Sequence, residues 1–515
     1  MKNSIYFLSL FLFIQCGSSD KKTTAEIIAS KDLAAIQTKK AEVVKSMNTL
    51  KLDLESLNEA IGQLDNEQKF LLITSIEAAV APYEHFVSFQ GTVETDKNIV
   101  MYPELPGQLK AVKVKEGQKV QKGSPLFFSK QNPRIHFVSP VGGEVTAIVR
   151  GAKRKILEVV ITQDDAQGSV HHDIPSLESI NQEQVKEVLL KAGAWPFITQ
   201  RPYGTIAQPE DTPKAIFVSA FSTAPLDVDY DFLLKNNKAE FQKGIDVLAK
   251  IAEVTLTADA NFKGFFEKVA NANIIGVKGE HPAGNVGVQI HHINPINAGD
   301  RVWVVNPEDV ANIGMLFSTG EFSAQRTVAV VGSSVRNPQY YKTTIGASIH
   351  SLLQGAEIND AQPNRFINGD VLTGVATTVD GYLGYYNNLF SVIPEGNHFR
   401  MFGWLPFVDN KIPSMSKTSL SWIFGKRKAI VDTNLNGEER ALVVTGEMEK
   451  VFPMDIYPMQ LIKACMIEDV ERMEVLGIYE VVPQDFAMID YSSTSKLEAQ
   501  EIIRKGVELM IKEEG

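Results

Sequence analysis

The sequence predicts a multidomain α/β chain with a coiled coil near its front and helices at its end, and three observations carry that prediction. Apolar residues recur at three- and four-residue steps from Leu33 to Leu64, short β-rich runs separated by glycine turns fill residues 86–165, and strands alternate with helices from residue 170 onward. The first pattern is a heptad seam, the second suits a small β-sandwich, and the third suits a parallel sheet covered by helices. The 515 residues leave room for several domains of ordinary size.

Residues 1–16 differ from everything after them. Lys2 gives a positive start, residues 5–14 form an apolar run, and Cys16 follows, with Gly17 and Ser18 behind it. Such a run falls short of the about 20 residues a membrane-spanning helix needs but suits the core of a signal peptide. It resembles a lipoprotein-type signal with Cys16 as the lipid attachment point, although Phe13 and Gln15 stand where such signals carry Leu and a small residue. The other readings are a misplaced start, or an apolar tail around a buried cysteine. Residues 17–30 are polar and small, as a tether would be.

The coiled-coil helix is expected over 31–69. Its seam is Leu33, Ile36, Val43, Met47, Leu50, Leu54, Leu57, Ile61 and Leu64, interrupted by Lys40. The alternative is a single amphipathic helix packed on a globular domain, because charges flanking the seam do not pair consistently.

Residues 86–165 give a sandwich of the lipoyl/biotinyl type, with β-rich runs at 85–94 and 97–102 and short strands around Gly117 and Gly123, over 112–114, 135–138, 142–149 and 156–161. No lysine occupies the tight turn that a swinging-arm carrier needs, so its role reads as structural. The α/β parallel-sheet domain spans 170–322, with strands expected over 214–220, 253–257, 273–277 and 301–305. Helices are expected over 181–192, 232–251, 262–270 and 307–319, and a His/Pro/Gly/Asn-rich loop over 281–299. Residues 323–403 follow the order of a β-grasp domain, with strands at 327–332, 341–344, 369–373 and 390–393 and a helix at 345–353. Residues 404–515 are mixed and close with amphipathic helices over 459–476 and 494–512.

Composition excludes several function classes. A formal charge of −11 without a basic stripe argues against nucleic acid as a partner. The two cysteines, Cys16 and Cys465, cannot supply an iron–sulfur cluster or an all-cysteine zinc site. The nine histidines offer no HExxH, and neither a GxGxxG after a strand nor a P-loop occurs.

The run Gly279-Glu280-His281-Pro282-Ala283-Gly284-Asn285-Val286-Gly287-Val288-Gln289-Ile290-His291 is the most distinctive in the chain. With Asn132-Pro133-Arg134-Ile135-His136, Arg201-Pro202-Tyr203, Ala224-Pro225-Leu226 and Val335-Arg336-Asn337-Pro338, it resembles the A-type subunit of the bacterial Na+-translocating NADH:quinone reductase, over residues 124–515. The resemblance implies a soluble subunit descended from the flavin-carrying subunit of respiratory complex I, with no cofactor bound by this chain. FAD, FMN, riboflavin and iron–sulfur would sit on other subunits, with ubiquinone as substrate. It further implies support of the ubisemiquinone to ubiquinol step coupled to Na+ export, on the cytoplasmic face of the inner membrane beside the quinone-binding membrane subunit. Residues 221–225 agree, since a phosphate-cradling turn after that strand would need glycines where Phe221-Ser222-Thr223-Ala224-Pro225 stand.

Within the distinctive run, His281, Pro282, Gly284, Gly287 and His291 are the candidates for a partner- or quinone-proximal loop. His281 and His291 lack cysteine or carboxylate company at metal-ligand spacing, and on a strand His291 and His292 would face opposite ways, so a structural or docking role is favoured over metal. Gly284 and Gly287 read as positive-φ turn positions, because no helix start is expected next. Trp195, Trp303, Trp404 and Trp422 read as core.

The front end has a second likeness. Residues 91–98, Pro106-Gly107 and 114–123, with the signal and the heptads, resemble the lipoprotein periplasmic adaptors of resistance-nodulation-division efflux pumps. The two likenesses meet near 112–126, which predicts a hybrid sandwich lacking the opening stretch of the reductase subunit. Two alternatives to a reductase role therefore stand: a lipid-anchored adaptor working with efflux-pump components on the periplasmic side, and a fusion without function.

Overall fold

The computed structural model describes residues 32–64, 98–100, 109–129, 131–151, 156–166, 168–261, 264–396 and 430–514, with 24, 405 and 423 as single positions. The signal with Cys16, nearly all of the tether, the strand run expected just before residue 95, Trp404 and Trp422 lie outside the described residues. The chain divides into two compact units, Met1–Gln90 and Gly91–Gly515.

The first unit holds helix α1, Leu33–Leu64. Asp32 caps it, its carboxylate accepting from the N–H groups of Ala34 and Ala35. The seam residues Leu33, Val43, Met47, Leu50, Leu54 and Leu57 are exposed.

The second unit opens with a sandwich of two antiparallel sheets. One has the order β1 (Asn98–Val100), β7 (Ile156–Gln163), β6 (Gly143–Arg150), β3 (Lys119–Val120); the other has β2 (Leu109–Val112), β4 (Pro125–Ser129), β5 (His136–Val138). Leu126, Phe127, Phe137, Val145, Val159 and Ile161 fill the space between them, with Phe127 and Phe137 stacked at 4.9 Å. Gly117 and Gly123 adopt φ of +79° and +87°, which a side chain would resist. The strand expected at 112–114 lies earlier, as β2, because its register is set by pairing with β4.

The α/β domain comprises α2 (Gln182–Lys191), β8 (Ile198–Arg201), β9 (Thr205–Ile206), β10 (Ile216–Ser219), α3 (Tyr230–Leu233), α4 (Lys238–Leu248), β11 (Val254–Asp259), β12 (Asn273–Val277), α5 (Val286–Ile293), β13 (Val302–Val305) and α6 (Pro307–Thr319). Its sheet order is β12-β11-β10-β13-β8-β9. The first four strands are parallel; β8 and β9 join as an antiparallel hairpin. Continuous apolar burial at Ile216, Phe217, Val218, Val254 and Leu256 marks strands covered on both faces. Trp195 and Trp303 are fully buried in T-shaped contact at 5.4 Å, and the Trp195 indole donates to the Ala207 carbonyl.

The helix expected over 262–270 is, among the described residues, only a 3-10 turn at Phe266–Lys268. The adjacent Phe265 and Phe266 rings both pack on Phe241, and Asn271 then takes a left-handed φ of 59° into β12.

The third part is a mixed sheet in the order β15 (Gln339–Thr344), β14 (Gln325–Val331), β18 (Leu389–Pro394), β16 (Asn364–Asn368), β17 (Val375–Thr377), with α7 (Ile349–Leu353) beside it. Only β14 and β18 run parallel. Residues 369–373 form a turn rather than the expected strand. The Asp370 carboxylate accepts from the N–H groups of Leu372 and Thr373, which bends the chain there.

The C-terminal part packs α8 (Pro458–Met466), α9 (Val470–Val475), α10 (Ala487–Ser492) and α11 (Ala499–Glu514) around Met459, Ile462, Cys465, Met473, Phe486 and Ile503. The helix expected over 459–476 is broken by left-handed Glu468, after which Asp469 caps α9 by accepting from Arg472 N–H. The helix expected from residue 494 begins at Ala499, where the Asp490 carboxylate accepts from the N–H groups of Ala499 and Gln500.

Candidate functional site: the carboxyl end of the parallel sheet

From β10 the chain proceeds to β11 on one side and reaches β13 on the other, so a topological switch point lies between β10 and β13. Open α/β sheets take their ligands at the carboxyl ends of the strands at such a point. A phosphate bound there needs free backbone N–H groups in a glycine turn at a helix start.

This crevice offers different chemistry. After β10, the Ser222 hydroxyl donates to the Asp227 carboxylate. Burial pushes the Asp227 carboxyl above the ordinary range, and nearby Asp370 pushes the same way against the Ser222 bond. Asn306, which caps α6, donates to the Tyr230 hydroxyl at 3.4 Å. Burial and the neighbouring Asp227 hold that phenol well above its usual range. Acidic and neutral side chains at the switch point do not suit an anionic phosphate, so the donor set does not fit a flavin or nicotinamide nucleotide.

The distinctive run crosses the same region. Thr223 Oγ accepts from Gly284 N–H at 2.8 Å and sits 3.2 Å from His281 Nδ1. Burial lowers the His281 pKa, and His281 Nε2 is buried without a hydrogen-bond partner. Pro282 is buried behind it, following a cis peptide bond. Gln289 ties the loop to the sheet, since Thr257 Oγ donates to its carbonyl at 2.6 Å while its amide donates to the Ala283 and Gly284 carbonyls.

Three expectations about this run are corrected. Helix α5 starts at Val286, so residues 286–293 are not loop, and neither Gly284 nor Gly287 has positive φ. Both glycines are there for close approach: a Cβ on Gly284 would lie 2.4 Å from Thr223 N, and one on Gly287 would lie 2.8 Å from the Asp485 carboxylate. His291 and His292 sit in the last turn of α5, not on a strand. His291 Nε2 accepts from Asp455 N–H at 3.0 Å, which leaves Nδ1 to donate to Glu480 at 2.7 Å. His292 Nε2 donates to the Pro453 carbonyl at 2.8 Å. His281 and His291 therefore have separate partners at opposite ends of α5. Among the described residues, no group of three His, Cys, Asp or Glu side chains could hold a metal ion.

A buried ion pair completes the region and had no signal in the sequence. Arg201, at the end of β8, meets Asp485 at 3.5 Å, and Val482 N–H donates to the same carboxylate oxygen. Burial raises the Asp485 pKa against the pull of Arg201. Asp227 was equally unmarked, and Thr223 and Gln289 stood out only as members of quoted runs, because their roles depend on which loops the fold brings together. Cys465 lies elsewhere, buried beside Met473 Sδ, with its thiol pushed up to about 11 by burial.

The fold and this region define a class of protein: a nucleotide-type α/β domain whose crevice is lined by its own acidic and polar side chains, flanked by a sandwich, a mixed sheet and a helical unit. Residues 87–164 match the NqrA N-terminal barrel-sandwich hybrid domain, 180–322 the NqrA second alpha/beta domain, and 327–378 the NQRA C-terminal domain. The NqrA subunit of the Na(+)-translocating NADH-quinone reductase of Neisseria meningitidis serogroup A is 35% identical over 434 residues, covering 83% of this chain and 96% of that protein. Its counterpart in Pasteurella multocida is 36% identical over 417 residues, covering 80% and 92%, and that of Haemophilus influenzae strain Rd is 35% identical over 422, covering 80% and 93%. A solved NAD+-reducing [NiFe]-hydrogenase, in the air-oxidised state, aligns over 67% of this chain and 66% of its own at 10% identity and a TM-score of 0.35.

The chain belongs to the NqrA family, the A-type subunits of the Na(+)-translocating NADH-quinone reductase. The family match begins at residue 87, ahead of the expected start at Ser124, and runs through 112–126 as one domain. Residues 87–123, expected to lie outside the reductase likeness, thus belong to the family's N-terminal domain match.

Proposed function

We propose that this chain is the cofactor-free NqrA subunit of a Na+-translocating NADH:quinone reductase, supporting reduction of ubisemiquinone to ubiquinol coupled to Na+ export. The observation that carries the reading is the carboxyl-end crevice, where Thr223, Asp227 and the 279–285 loop stand in place of a phosphate cradle. On this reading FAD, FMN, riboflavin and iron–sulfur belong to the other subunits. No helix among the described residues is long and apolar enough to cross a membrane. Attachment would then be peripheral, on the cytoplasmic face and through the quinone-binding membrane subunit. His281, Pro282, Gly284, Gly287 and His291 are proposed to form the partner- or quinone-proximal stretch of the chain, held in shape by the bonds of the crossing loop and α5. Residues 323–403 are proposed to be a β-grasp unit, on the strength of the parallel β14/β18 pair with α7 between them in sequence.

Deleting the gene in its own host and assaying membranes tests the function. Loss of NADH-driven quinone reduction and Na+ transport, with NADH oxidation by an artificial acceptor retained, is the expected result; unchanged quinone reduction would overturn it. The purified chain should lack flavin absorbance. Protease treatment of spheroplasts decides the side of the membrane: a cleaved chain with acylated Cys16 would replace this reading with the periplasmic adaptor.

A further inference from the structure

Helix α1 plays no part in the proposed reductase function and poses a separate question. It runs 32 residues, about 48 Å, and places apolar residues at all but one step of an alternation of three- and four-residue steps, with Val44 and Leu52 exposed off that seam. Setting Leu33 at position a places Lys40, Met47, Leu54 and Ile61 at the other a positions. The d positions are then Ile36, Val43, Leu50, Leu57 and Leu64. Met47, Leu50, Leu54 and Leu57 are 52–65% exposed, a stripe that an isolated helix in water would bury against a partner.

We propose that α1 associates with α1 of a second copy of this chain as a parallel two-stranded coiled coil. Period and composition support a second copy over an unrelated surface. A helix packed on a globular domain drifts with the 3.6-residue period and carries a broader stripe, whereas a strict seven-residue repeat keeps one narrow seam facing an identical seam. Leucine at the last three d positions and a lone polar Lys40 at an a position fit the two-stranded parallel form, in which one polar layer fixes register. In that register each g position meets the e position five residues on. The pairs Asp32–Gln37, Lys39–Val44, Ser46–Lys51 and Asp53–Asn58 set no like charges opposite each other. Burying nine aliphatic side chains from each helix would remove on the order of 1,500 Å2 from water, above the roughly 1,000 Å2 of a specific interface.

The test uses the full chain with Cys16→Ser, measured by sedimentation equilibrium at micromolar concentration. The expected result is a dimer, weakened at least roughly a hundredfold by Leu50→Asp with Leu57→Asp, because each buries charge in the seam. Lys40→Leu should tighten it about tenfold by replacing the polar layer, a gain that misfolding cannot mimic. Ile36→Cys should form an intermolecular disulfide on mild oxidation, since only parallel, in-register pairing sets residue 36 against its copy. A monomeric chain, a dimer indifferent to both seam variants, or failure of Ile36→Cys to cross-link would each overturn the proposal. None of these readouts involves quinone reduction, so the coiled coil and the reductase reading fail independently.

Discussion

Single side chains in the α5 region act through hydrogen bonds whose worth is testable. His291 joins α5 to Glu480 and to the backbone of Asp455. His291→Ala removes the bond to half-buried Glu480 and the bond to the exposed Asp455 N–H, and should cost about 1 kcal/mol in urea unfolding. Asp227 makes a pH-dependent prediction. Its pKa is raised by burial, so between the ordinary carboxylate pKa and the raised value the native chain holds a proton the unfolded chain has released. Its contribution is therefore most favourable at low pH and is lost as pH rises through that window. Asp227→Asn stays neutral throughout; it should melt higher than the parent at pH 7, and the gap should close toward about pH 4. Asp227 carried no sequence mark as part of a site, and His291 was a candidate whose partners were not legible. The sequence marked His291 by its company in a distinctive run, but Glu480 lies 189 positions away, and no local pattern encodes that distance.

Elements were legible where their signals were local. The capping box of Asn181 and Gln184 starts α2, and Asn306 followed by Pro307 starts α6, both as their sequence signatures predict. Local pattern misled where a tertiary contact decided the backbone. Helix α5 looked like loop because Gly284, Asn285 and Gly287 are poor helix residues; the Gln289 amide, donating to the Ala283 carbonyl, and the Asn285 amide, donating to the Gln484 carbonyl, hold the helix in place. Helices α4 and α6 show the same dependence. A Cβ on Gly244 would lie 1.9 Å from the Val310 carbonyl oxygen, and one on Gly314 would lie 1.8 Å from that of Glu240. Gly314→Ala should therefore push the helices apart and cost about 2 kcal/mol or more. A denaturant midpoint no lower than that of the parent would contradict the close crossing.

At the scale of the whole molecule, charge buried between parts of the 91–515 unit does what composition could not announce. Arg326, fully buried on β14, reaches Asp309 on α6 at 3.0 Å and the Tyr385 carbonyl at 2.8 Å. Glu308 accepts from Thr327 N–H and from the Asn388 amide. Burial raises the pKa of both Glu308 and Asp309 against the pull of Arg326, while Arg326 stays protonated because their attraction outweighs its own burial. Arg326→Met would strand two buried carboxyls and should cost about 3–5 kcal/mol, seen in calorimetry as an earlier melt of the α/β domain or the mixed sheet. By itself the sequence determined the strand–helix alternation of the parallel-sheet domain, the heptad seam, the core tryptophans Trp195 and Trp303 and the family likeness, because periodicity, turn residues and motif spacing are written within a few residues of one another. The tertiary structure alone decided that 286–293 is a helix, that Gly284 and Gly287 serve close approach, and that Thr223 and Gln289 bond the crossing loop while Asp227 meets Ser222. It also chose the partners of Arg201 and Arg326. Those outcomes rest on contacts between residues tens to hundreds of positions apart, where burial removes water and makes each unpaired polar group costly enough to fix its neighbour.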